Sequence, residues 1–195
     1  MSSEPRPYHK KRRAELELQT RQRITESTVA LHGTPGPSRT TISAVAERAG
    51  VRRSTVYRHF PDEASLFAAC SSHWSAANPP PDLDRWAAID DPDVRLETAL
   101  GELYAFYRRA APMLSNVIRD EPLMPVVQQH FGAFRGYLEE GERVLHKGRP
   151  PRKEVHAAIG HALAFLTWRS LTGEQELDDA EAAELMCRLV AAVRL

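Results

Sequence analysis

The sequence has few of the residues that stabilise secreted proteins or anchor membrane proteins. It contains only two cysteines, Cys70 and Cys187, so no disulfide framework is expected and a reducing cytoplasm is the simplest location. The longest nearly apolar stretch, residues 157–168, is interrupted by His161 and is too short to span a bilayer. The N-terminal residues have no apolar segment of the kind found in signal peptides. We therefore expect an ordinary globular protein of one large or two small domains, without a membrane partner.

The chain also lacks a net charge, because 26 Lys and Arg side chains balance 26 Asp and Glu side chains. This balance hides an asymmetry between the two ends of the chain. Residues 1–60 hold 12 basic and 5 acidic side chains, whereas residues 61–195 hold 14 basic and 21 acidic ones. A basic first third joined to an acidic remainder predicts a head that binds nucleic acid and a body that DNA does not touch.

The motifs of common enzyme classes are absent as well. The sequence has no Gly-x-Ser-x-Gly elbow, no Walker loop and no glycine-rich dinucleotide signature. His156 and His161 are five residues apart, so they would not share a helix face as an i,i+4 metal pair does. Glu139, Glu140 and Glu142 are typical of a solvated helix face. We therefore expect no catalytic residues, no metal and no cofactor, and predict that the protein is not an enzyme.

Residues 41–60 contain two short helical patterns joined by a tight turn. The first has apolar residues at helical spacing, with Thr41 placed to cap its start and Gly50 placed to end it in a left-handed conformation. The second, residues 52–59, has Val56 as its internal apolar position, and its other positions are polar. A second helix rich in hydrogen-bond donors is typical of a helix-turn-helix that enters the major groove of DNA.

The segments beside this pair complete a three-helix head. Residues 14–32 are predicted to form the first helix, with Glu17 and Arg21 spaced for an i,i+4 ion pair. Its apolar and small residues would face the helix-turn-helix. A further helix is predicted to start at Pro61 or Asp62.

This region resembles the DNA-binding signature of the TetR family of transcriptional regulators. The resemblance covers residues 24–66. It rests on residue types at fixed offsets, namely Thr41, Ala46, Ala49, Gly50, Val51, Thr55, Tyr57, His59, Phe60 and Leu66. The chain departs from the usual pattern at Arg52, where the family has a small hydroxyl residue, and at Glu63, where it has a lysine. The first departure removes a helix cap and adds a cation, and the second removes a phosphate contact.

The resemblance implies an all-α fold with a helix-turn-helix head and a helical body that binds an effector and forms the dimer. Residues 1–9 contain two prolines, two serines and no periodic pattern, and residues 10–13 are a basic cluster, so we expect a disordered basic arm over residues 1–15. With the resemblance, we expect a DNA-binding domain over residues 16–66 and an effector-binding and dimerisation domain over residues 67–195. The fourth helix would then belong to both domains, with its end near Trp74 in the body.

The DNA contacts are expected on the second short helix and at the start of the first. Tyr57 and His59 resemble the phosphate contacts of the family, and Thr41 can add its hydroxyl group. The candidates near base edges are Arg53, Ser54, Thr55 and Arg58, although for each arginine a phosphate contact without sequence information is more frequent. The expected DNA-binding set is Thr41, Arg52, Arg53, Ser54, Thr55, Tyr57, Arg58 and His59.

Helical periodicity predicts the segments of the body. Asp91 is expected to cap a helix with Pro92 at its first position. The helical pattern over residues 94–111 is expected to end at Pro112, where a shorter helix would begin. Helices over residues 126–146 and 152–172 follow, and residues 178–181 have the spacing of a capping box.

The large side chains of the body have two interpretations. They form an ordinary hydrophobic core, or, as the resemblance implies, several of them line an apolar effector pocket with a few polar groups. The pocket candidates are Trp74, Tyr104, Tyr107, Met113, Phe131, Phe134, Phe165 and Trp168. The polar groups that could orient an effector are Tyr104, Tyr107, Asn116, His130 and His161.

The last helices carry small residues, Ala157, Gly160 and Ala164, that would let another helix approach closely. These helices could close the core of the monomer, or, as the resemblance implies, form a four-helix bundle with a second copy through residues 152–195. The predicted function is a homodimeric repressor that binds a palindromic double-stranded operator and is released by a small-molecule effector of unknown identity. The alternative is a ligand-independent DNA-binding or helical interaction protein.

Overall fold

The computed structural model describes residues 6–193 and the side chains of residues 11–193. Over this range the chain is helical and contains no β-strand, as expected for an all-α fold. No helix in the described range combines the length and the apolar character needed to cross a bilayer. The helices are α1 Arg6–His32, α2 Ile42–Ala49, α3 Arg53–His59, α4 Glu63–Ala77, α5 Leu83–Ala87, α6 Pro92–Asp120, α7 Pro125–His146, α8 Lys153–Leu163, α9 Phe165–Gly173 and α10 Asp179–Ala192. Short 3₁₀ turns cover Pro37–Arg39 and Glu121–Leu123.

The described chain divides into two compact units. The first unit contains the residues through Asn78 together with Ser115–His130, and the second contains Pro79–Leu114 and the residues from 131 onward. Two helices, α6 and α7, therefore contribute residues to both units. The sequence had suggested a division after residue 66, inside α4, whereas here the whole of α4 belongs to the first unit.

A buried cluster explains why α4 and the start of α7 belong together. Phe67 and Cys70 of α4 pack with Val127 of α7, and each of these side chains is almost completely buried. Val29 of α1 and Met124 pack against the same cluster. The partners of α4 are thus residues of α1 and α7 that are distant in sequence, which periodicity alone does not reveal.

The core of the head is the one that the apolar pattern predicts. It contains Ile24 from α1, together with residues of α2 and α3 and the first turn of α4. Thr28 is also buried, and its hydroxyl donates to the carbonyl oxygen of Ile24 at 2.8 Å, which satisfies the polar group inside the core. The buried members of the core are Ile24, Val45, Ala46, Ala49, Val56, Phe60 and Leu66.

The start of α1 differs from the expected disordered arm. The helix begins at Arg6, so the described part of residues 1–15 is helical, and only residues 1–5 lie outside the described range. Residues 10–15 are all Lys, Arg, Ala or Glu, which have high helix propensity. Glu17 pairs with Arg13 at 3.3 Å rather than with Arg21 as expected, so the ion pair supports this first part of the helix.

Helix α6 also differs from the expectation, because it continues through Pro112 without a break. Pro112 is exposed, and the buried face of the helix passes from Tyr107 through Ala110 to Leu114 on the other side. A proline inside a helix costs about 3 kcal/mol, so the packing of this face has to offset the lost backbone hydrogen bond. The start of α6 follows the prediction, since the Asp91 carboxylate accepts from the backbone N–H groups of residues 93 and 94.

The segment expected to form one helix over residues 152–172 is instead divided into α8 and α9. Ala164, between them, has an extended conformation with φ −70° and ψ 129°. The hydroxyl of Tyr104 donates to the carbonyl oxygen of Ala162 at 2.9 Å, and that of Tyr107 donates to the carbonyl oxygen of Leu163 at 2.5 Å. These two tyrosines therefore satisfy carbonyl groups that the break leaves without helical partners.

The last helix begins as its sequence pattern predicts. The side chain of Asp178 accepts from the N–H of Glu181, and the side chain of Glu181 accepts from the N–H of Asp178, which completes a capping box.

Candidate functional site

The surface of α3 is the candidate nucleic-acid interface, and its position is determined by the residues on either side of it. Gly50 ends α2 in the left-handed conformation with φ 64°, which lets the chain turn directly into α3. Val56 and Phe60 are buried in the head core at 0 % and 2 % exposure. With these two side chains fixed, the other side of α3 faces outward.

The outward side of α3 carries most of the residues that the sequence predicts to contact DNA. Tyr57 is 47 % exposed, although it is a large aromatic residue. Thr55 and His59 are half-buried. The exposed members of the set are Arg52, Arg53, Ser54, Tyr57 and Arg58, and Thr41 at the start of α2 is exposed as well. This surface offers three cationic groups and several hydroxyl groups, which are donors that phosphate oxygens and base edges accept.

The starts of α2 and α3 are capped differently. The Thr41 hydroxyl accepts from the backbone N–H of Ala44 at 3.1 Å, as predicted from its position. Arg52 holds the capping position of α3, but its side chain makes no capping hydrogen bond. The start of α3 therefore lacks the side-chain cap that the start of α2 has.

Arg21 of α1 supports the end of α3, a role that the sequence analysis missed. Its guanidinium lies 4.0 Å from the ring centroid of Phe60 and donates to the carbonyl oxygen of His59 at 2.5 Å. A cation at the C-terminal end of a helix also interacts favourably with the helix dipole. The only sequence signal was the position of Arg21 on the same helix as Ile24, one turn away.

His59 has an electrostatic environment that opposes a positive charge on its ring. Burial is the main cause of its lowered pKa, and the nearby charges of Arg58 and Arg21 lower it further, against a smaller effect of Glu17. Its Nε2 atom is buried without a hydrogen-bond partner among the described residues. The imidazole is therefore neutral near pH 7.

Acidic residues follow α3 directly. The Asp62 carboxylate accepts from the N–H of Ser65 at 2.7 Å and caps α4, which lowers its pKa. Glu63, the first residue of α4, is exposed. Both residues line a cavity of about 310 Å³ within the first unit, to which Thr41 and Tyr57 also contribute. A negative charge thus lies beside residues proposed from sequence to contact phosphate.

Comparison with known proteins identifies the head. Residues 24–70 match the model of the family described as bacterial regulatory proteins, tetR family. The chain is also 25 % identical over 202 aligned positions to the HTH-type transcriptional repressor KstR of Mycolicibacterium smegmatis, covering 93 % of this chain and 89 % of that protein. The head of this chain is therefore a DNA-binding domain of the TetR family.

Solved structures of TetR regulators share the fold over almost the whole chain. A TetR-like transcriptional regulator from Rhodococcus sp. RHA1 superimposes with a TM-score of 0.65 at 17 % identity, covering 89 % of this chain and 94 % of that one. A TetR family transcription regulator from Marinobacter aquaeolei VT8 gives a TM-score of 0.59 at 19 % identity, covering 92 % and 96 %. Both structures are described as transcription regulators, and at these identities the likeness shows a shared fold.

In the second unit the aromatic residues expected to line an effector pocket pack against one another. Tyr107 meets Phe165 edge-on, with ring centroids 5.3 Å apart, and also lies 5.9 Å from Trp168. Phe134 contacts both Phe131 and Phe106, at centroid distances of 5.5 and 6.0 Å. These residues form a continuous aromatic core in the second unit.

The two tyrosines of this core act as structural donors. Burial raises the pKa of both Tyr104 and Tyr107 far above the usual value, so the hydroxyl groups keep their protons. Their hydrogen bonds to the carbonyl groups of Ala162 and Leu163 fix the break between α8 and α9. An effector that accepts a hydrogen bond from these hydroxyl groups would have to compete with those carbonyl groups.

The remaining pocket candidates are divided between the two units. Trp74 lies on α4 in the first unit and is half-buried, and Asn116 and His130 belong to the first unit as well. Met113 is half-buried in the second unit. His161 is exposed and lies 3.2 Å from the Thr167 hydroxyl. The structure therefore does not bring the eight sequence-predicted pocket residues together in one unit.

Asn116 has a structural role at the end of α1 rather than a place in the body. Its side-chain amide donates to the carbonyl oxygens of His32 at 3.0 Å and Thr34 at 3.1 Å. The amide thus caps the C-terminal end of α1 from a residue 84 positions later in the chain. Asn116 therefore joins the end of α6 to the end of α1.

The next turn of α6 holds the loop that leads into the helix-turn-helix. Asp120 accepts from the backbone N–H of Ser38 at 2.9 Å and from Arg119 at 2.7 Å. Burial raises the pKa of Asp120, but these hydrogen bonds outweigh it and leave the pKa below its usual value. Arg119 also donates to the carbonyl oxygen of Pro35 at 2.9 Å. Gly36 has φ +99°, and a side chain there would collide with Arg119.

Proposed function

We propose that this TetR-family protein is a dimeric repressor that places α3 in the major groove of a palindromic operator and leaves the DNA when a small molecule binds. The observation that carries the DNA part is the exposed side of α3, which carries three arginines and Tyr57 while Val56 and Phe60 anchor its other side. The repressor role is supported by the likeness to KstR, which covers most of both chains.

The proposed DNA contacts fall into two groups. Tyr57 and Thr41 are assigned to phosphates, because hydroxyl groups at a helix start and on its exposed side suit phosphate oxygens. Arg53 and Arg58, with Ser54 and Thr55, are assigned to the groove, where an arginine that reaches guanine with two nitrogens discriminates by about 1–3 kcal/mol. Arg52 adds a cation at the start of α3.

His59 is assigned a hydrogen bond rather than an ionic contact to phosphate. Its lowered pKa leaves the ring neutral near pH 7, and its Nε2 atom is buried. We therefore expect its contribution to change little between pH 7 and pH 8, unlike that of an imidazolium ion with an ordinary pKa of about 6.5.

The test of DNA binding compares one operator with a random duplex of the same length. Arg53→Ala should weaken binding to the operator more than binding to random DNA, because it removes a base contact. Arg109→Ala is the matched control, since Arg109 is an exposed arginine of the second unit and its loss changes the net charge equally. Equal losses on both duplexes would remove Arg53 from the base-reading set.

Salt dependence measures how many phosphates the head neutralises. The logarithm of affinity should fall linearly with the logarithm of salt concentration, with a slope of about −0.9 per neutralised phosphate. Tyr57→Phe should weaken binding to operator and random duplex alike, without changing this slope, because it removes a neutral donor. A head that binds DNA without salt dependence would contradict the proposal.

The proposed dimer forms through residues 152–195. Two large apolar side chains in this segment are exposed in the single chain, Leu166 at 52 % and Leu189 at 47 %. The small-residue stripe contributes less than expected. Gly160 faces α7 of its own chain, since a side chain there would lie 3.2 Å from the Glu142 carboxylate, and Ala164 lies at the break between α8 and α9.

Sedimentation equilibrium tests the dimer. Leu166→Glu and Leu189→Glu should each weaken the dimer by about tenfold or more, which corresponds to about 1.4 kcal/mol. Leu123→Glu is the matched control, because Leu123 is 72 % exposed but lies outside residues 152–195. A wild-type monomer at micromolar concentration, or an equal effect of all three substitutions, would contradict the proposed interface.

The proposed release by an effector relies on the two helices shared by both units. Helix α6 begins in the second unit and ends at Asn116 and Asp120, which hold the end of α1 and the loop before the helix-turn-helix. A ligand that shifts α6 would therefore disturb the support of the head. This assigns to α6 the coupling that the sequence had suggested for α4.

Reciprocity provides the test of release. A ligand found by thermal-shift screening should bind the free protein more tightly than the operator complex, by the same factor by which it weakens operator binding. The expected coupling is about 1–3 kcal/mol. Asn116→Ala should reduce this factor, since it removes the contacts of α6 with the end of α1.

The second candidate is a DNA-binding protein without an effector. The packing of Tyr107, Phe134, Phe165 and Trp168 against one another favours it, because a ligand would have to open this core. Equal ligand affinity with and without saturating operator would support this candidate against the first.

A further inference from the structure

Three metal-ligating side chains come together where α7 ends and α8 begins. Glu142 and His146 lie four residues apart on the last turns of α7, and His156 lies on the first turn of α8. Each offers one ligand atom, and these atoms all lie within 4.8 Å of one another. The spacing of His156 and His161 predicts no shared metal site, and the pattern around Glu142 is typical of a solvated helix face. The histidine that meets His156 is His146, ten residues earlier and on another helix.

The geometry of this cluster, which we call the α7–α8 cluster, is compact. His146 Nε2 lies 2.5 Å from His156 Nδ1, and the two rings have centroids 4.3 Å apart. The Glu142 carboxylate oxygen lies 3.9 Å from His146 Nε2 and 3.5 Å from His156 Nε2. The side chains of Glu142 and His146 are 25 % and 20 % exposed, whereas that of His156 is 67 % exposed.

Two buried arginines hold the segment between the helices in place. Arg95, which is 2 % exposed, donates to the carbonyl oxygens of Val144 at 3.2 Å and Lys147 at 2.6 Å. Arg149 donates to the carbonyl oxygen of Pro92 and pairs with Asp93 at 3.1 Å. The turn that brings His156 back to His146 is therefore fixed from the start of α6, and the cluster does not depend on a loosely held loop.

The geometry points to a binding site for a divalent cation of the zinc class at the α7–α8 cluster, with Glu142, His146 and His156 as ligands; this is our proposal. Two imidazole nitrogens and one carboxylate oxygen suit Zn²⁺, Co²⁺ and Ni²⁺ and are a poor set for Mg²⁺ or Ca²⁺, which prefer oxygen ligands. Three protein ligands leave a position for water on the exposed side.

Small adjustments would bring the ligands to metal distances. Zinc–nitrogen bonds of about 2.0–2.1 Å at tetrahedral angles place two nitrogens about 3.3 Å apart, so the two imidazoles must separate by about 0.8 Å. His156 is exposed and can move by that amount.

Occupation would connect the end of α7 to the start of α8 by a second link besides the turn. The ion would replace the short contact between two ring nitrogens, which share at most one proton, with bonds to a single cation. The carboxylate of Glu142 would bind the positive ion directly. The positive charge of Arg149 near His146 disfavours a bound cation, but Arg149 is itself paired with Asp93.

The experiment is a titration of the tag-free full-length protein with Zn²⁺ by calorimetry and with Co²⁺ by visible absorption. We expect one ion per chain with micromolar affinity, and the visible bands of Co²⁺ in a low-coordinate nitrogen and oxygen site. His156→Ala should weaken Zn²⁺ binding by about tenfold or more. Because His156 is exposed, this variant is expected to fold normally, which circular dichroism checks.

His161→Ala is the matched control, since it removes another exposed histidine of the same helix and should leave affinity unchanged. Gly160→Ala adds a group 3.2 Å from the Glu142 carboxylate and should weaken binding without removing a ligand. Wild-type protein that binds no Zn²⁺ at micromolar concentration, or equal affinity in wild type and His156→Ala, would overturn the site. Equal losses for His156→Ala and His161→Ala would overturn it too.

Discussion

The limits of α2 and α4 in the first unit are determined differently from the course of α6 through Pro112 and the end of α8 in the second unit. In the first unit, Thr41, Gly50 and Asp62 set the limits of α2 and α4 through groups within four residues in the sequence. In the second unit, α6 passes through Pro112, and α8 ends at Ala164, which has no helix-breaking side chain. Limits of the first kind are local, whereas those of the second kind depend on contacts made across the fold.

The break at Ala164 shows how strong the long-range contacts are. The donors that satisfy the freed carbonyl groups are Tyr104 and Tyr107, which lie 58 and 56 residues from their acceptors. Alanine has the highest helix propensity of all residues, so the local sequence favours a continuous helix here. Tertiary hydrogen bonds in the buried core therefore override the local preference.

The largest loss of stability is expected when the long-range contacts of Arg95 in the second unit are removed. Its guanidinium donates to four carbonyl oxygens, two before α6 and two near the end of α7. Arg95→Leu should lower the free energy of unfolding by about 3–5 kcal/mol, because it removes four hydrogen bonds made by a buried guanidinium. Urea denaturation measures this loss.

The control for Arg95 is Arg109→Leu, which alters an exposed arginine of the same helix. We expect it to change the free energy of unfolding by no more than about 0.5 kcal/mol. Similar effects of the two substitutions would show that the hydrogen bonds of Arg95 to carbonyl groups do not determine the position of the α7–α8 turn.

The second largest change in stability is expected from the protonation of His32, which is buried by long-range contacts within the first unit. His32 is buried beside Phe67 and Cys70, and its pKa falls to about 4, because burial disfavours the imidazolium ion more than Asp120 favours it. The unfolded chain has the ordinary value of 6.5 and therefore binds the proton more readily. Stability is fully present above pH 6.5 and is lost as the pH falls towards 4.

The loss from His32 should reach about 3 kcal/mol at the lower end of this range. Urea denaturation at several pH values measures it against His32→Phe, which keeps an aromatic ring but cannot titrate. The variant should have a flatter profile between pH 6.5 and 4. Parallel profiles of the wild type and the variant would attribute the acid sensitivity to other groups.

The sequence predicts those helix limits that neighbouring residues determine. It predicts the head core, the cap at Thr41, the turn at Gly50, the cap at Asp91 and the capping box at Asp178, because each depends on neighbouring residues. The same local reasoning extended to α3 leads to its exposed polar side. The family signature covers this region and therefore agrees with it.

Other features of the fold and the candidate sites could not be predicted from neighbouring residues in the sequence. The capping of α1 by Asn116 spans 84 residues, and the α7–α8 cluster needs a turn that Arg95 fixes from another helix. The proposed pocket residues were chosen by size, and size alone does not distinguish a packed aromatic core from the wall of a cavity. The start of α1 was missed because charge and prolines were taken as signs of disorder, although the residue types favour a helix.

A smaller effect is expected from the hydroxyl of Tyr107 at the break between α8 and α9. Tyr107→Phe keeps the edge-on contact with Phe165 but leaves the Leu163 carbonyl group without its donor. The free energy of unfolding should fall by about 1–3 kcal/mol, and amide exchange at residues 164–168 should become faster. Tyr57→Phe is the control and should change neither, because Tyr57 is exposed.

The smallest change in stability is expected from adding a capping side chain to α3, a helix of the head that lacks one. Arg52 occupies the capping position of α3 without a side-chain capping bond, so Arg52→Ser should stabilise the start of α3 by about 1 kcal/mol. Amide exchange at residues 54–56 should slow by about fivefold. Arg53→Ser, one position later and inside the helix, should not slow it.

Operator affinity should nevertheless fall in Arg52→Ser, since a cation is lost, and the salt slope should decrease by about 0.9 if Arg52 contacts one phosphate. A slowed exchange with an unchanged slope would mean that Arg52 affects only the helix start and does not contact phosphate.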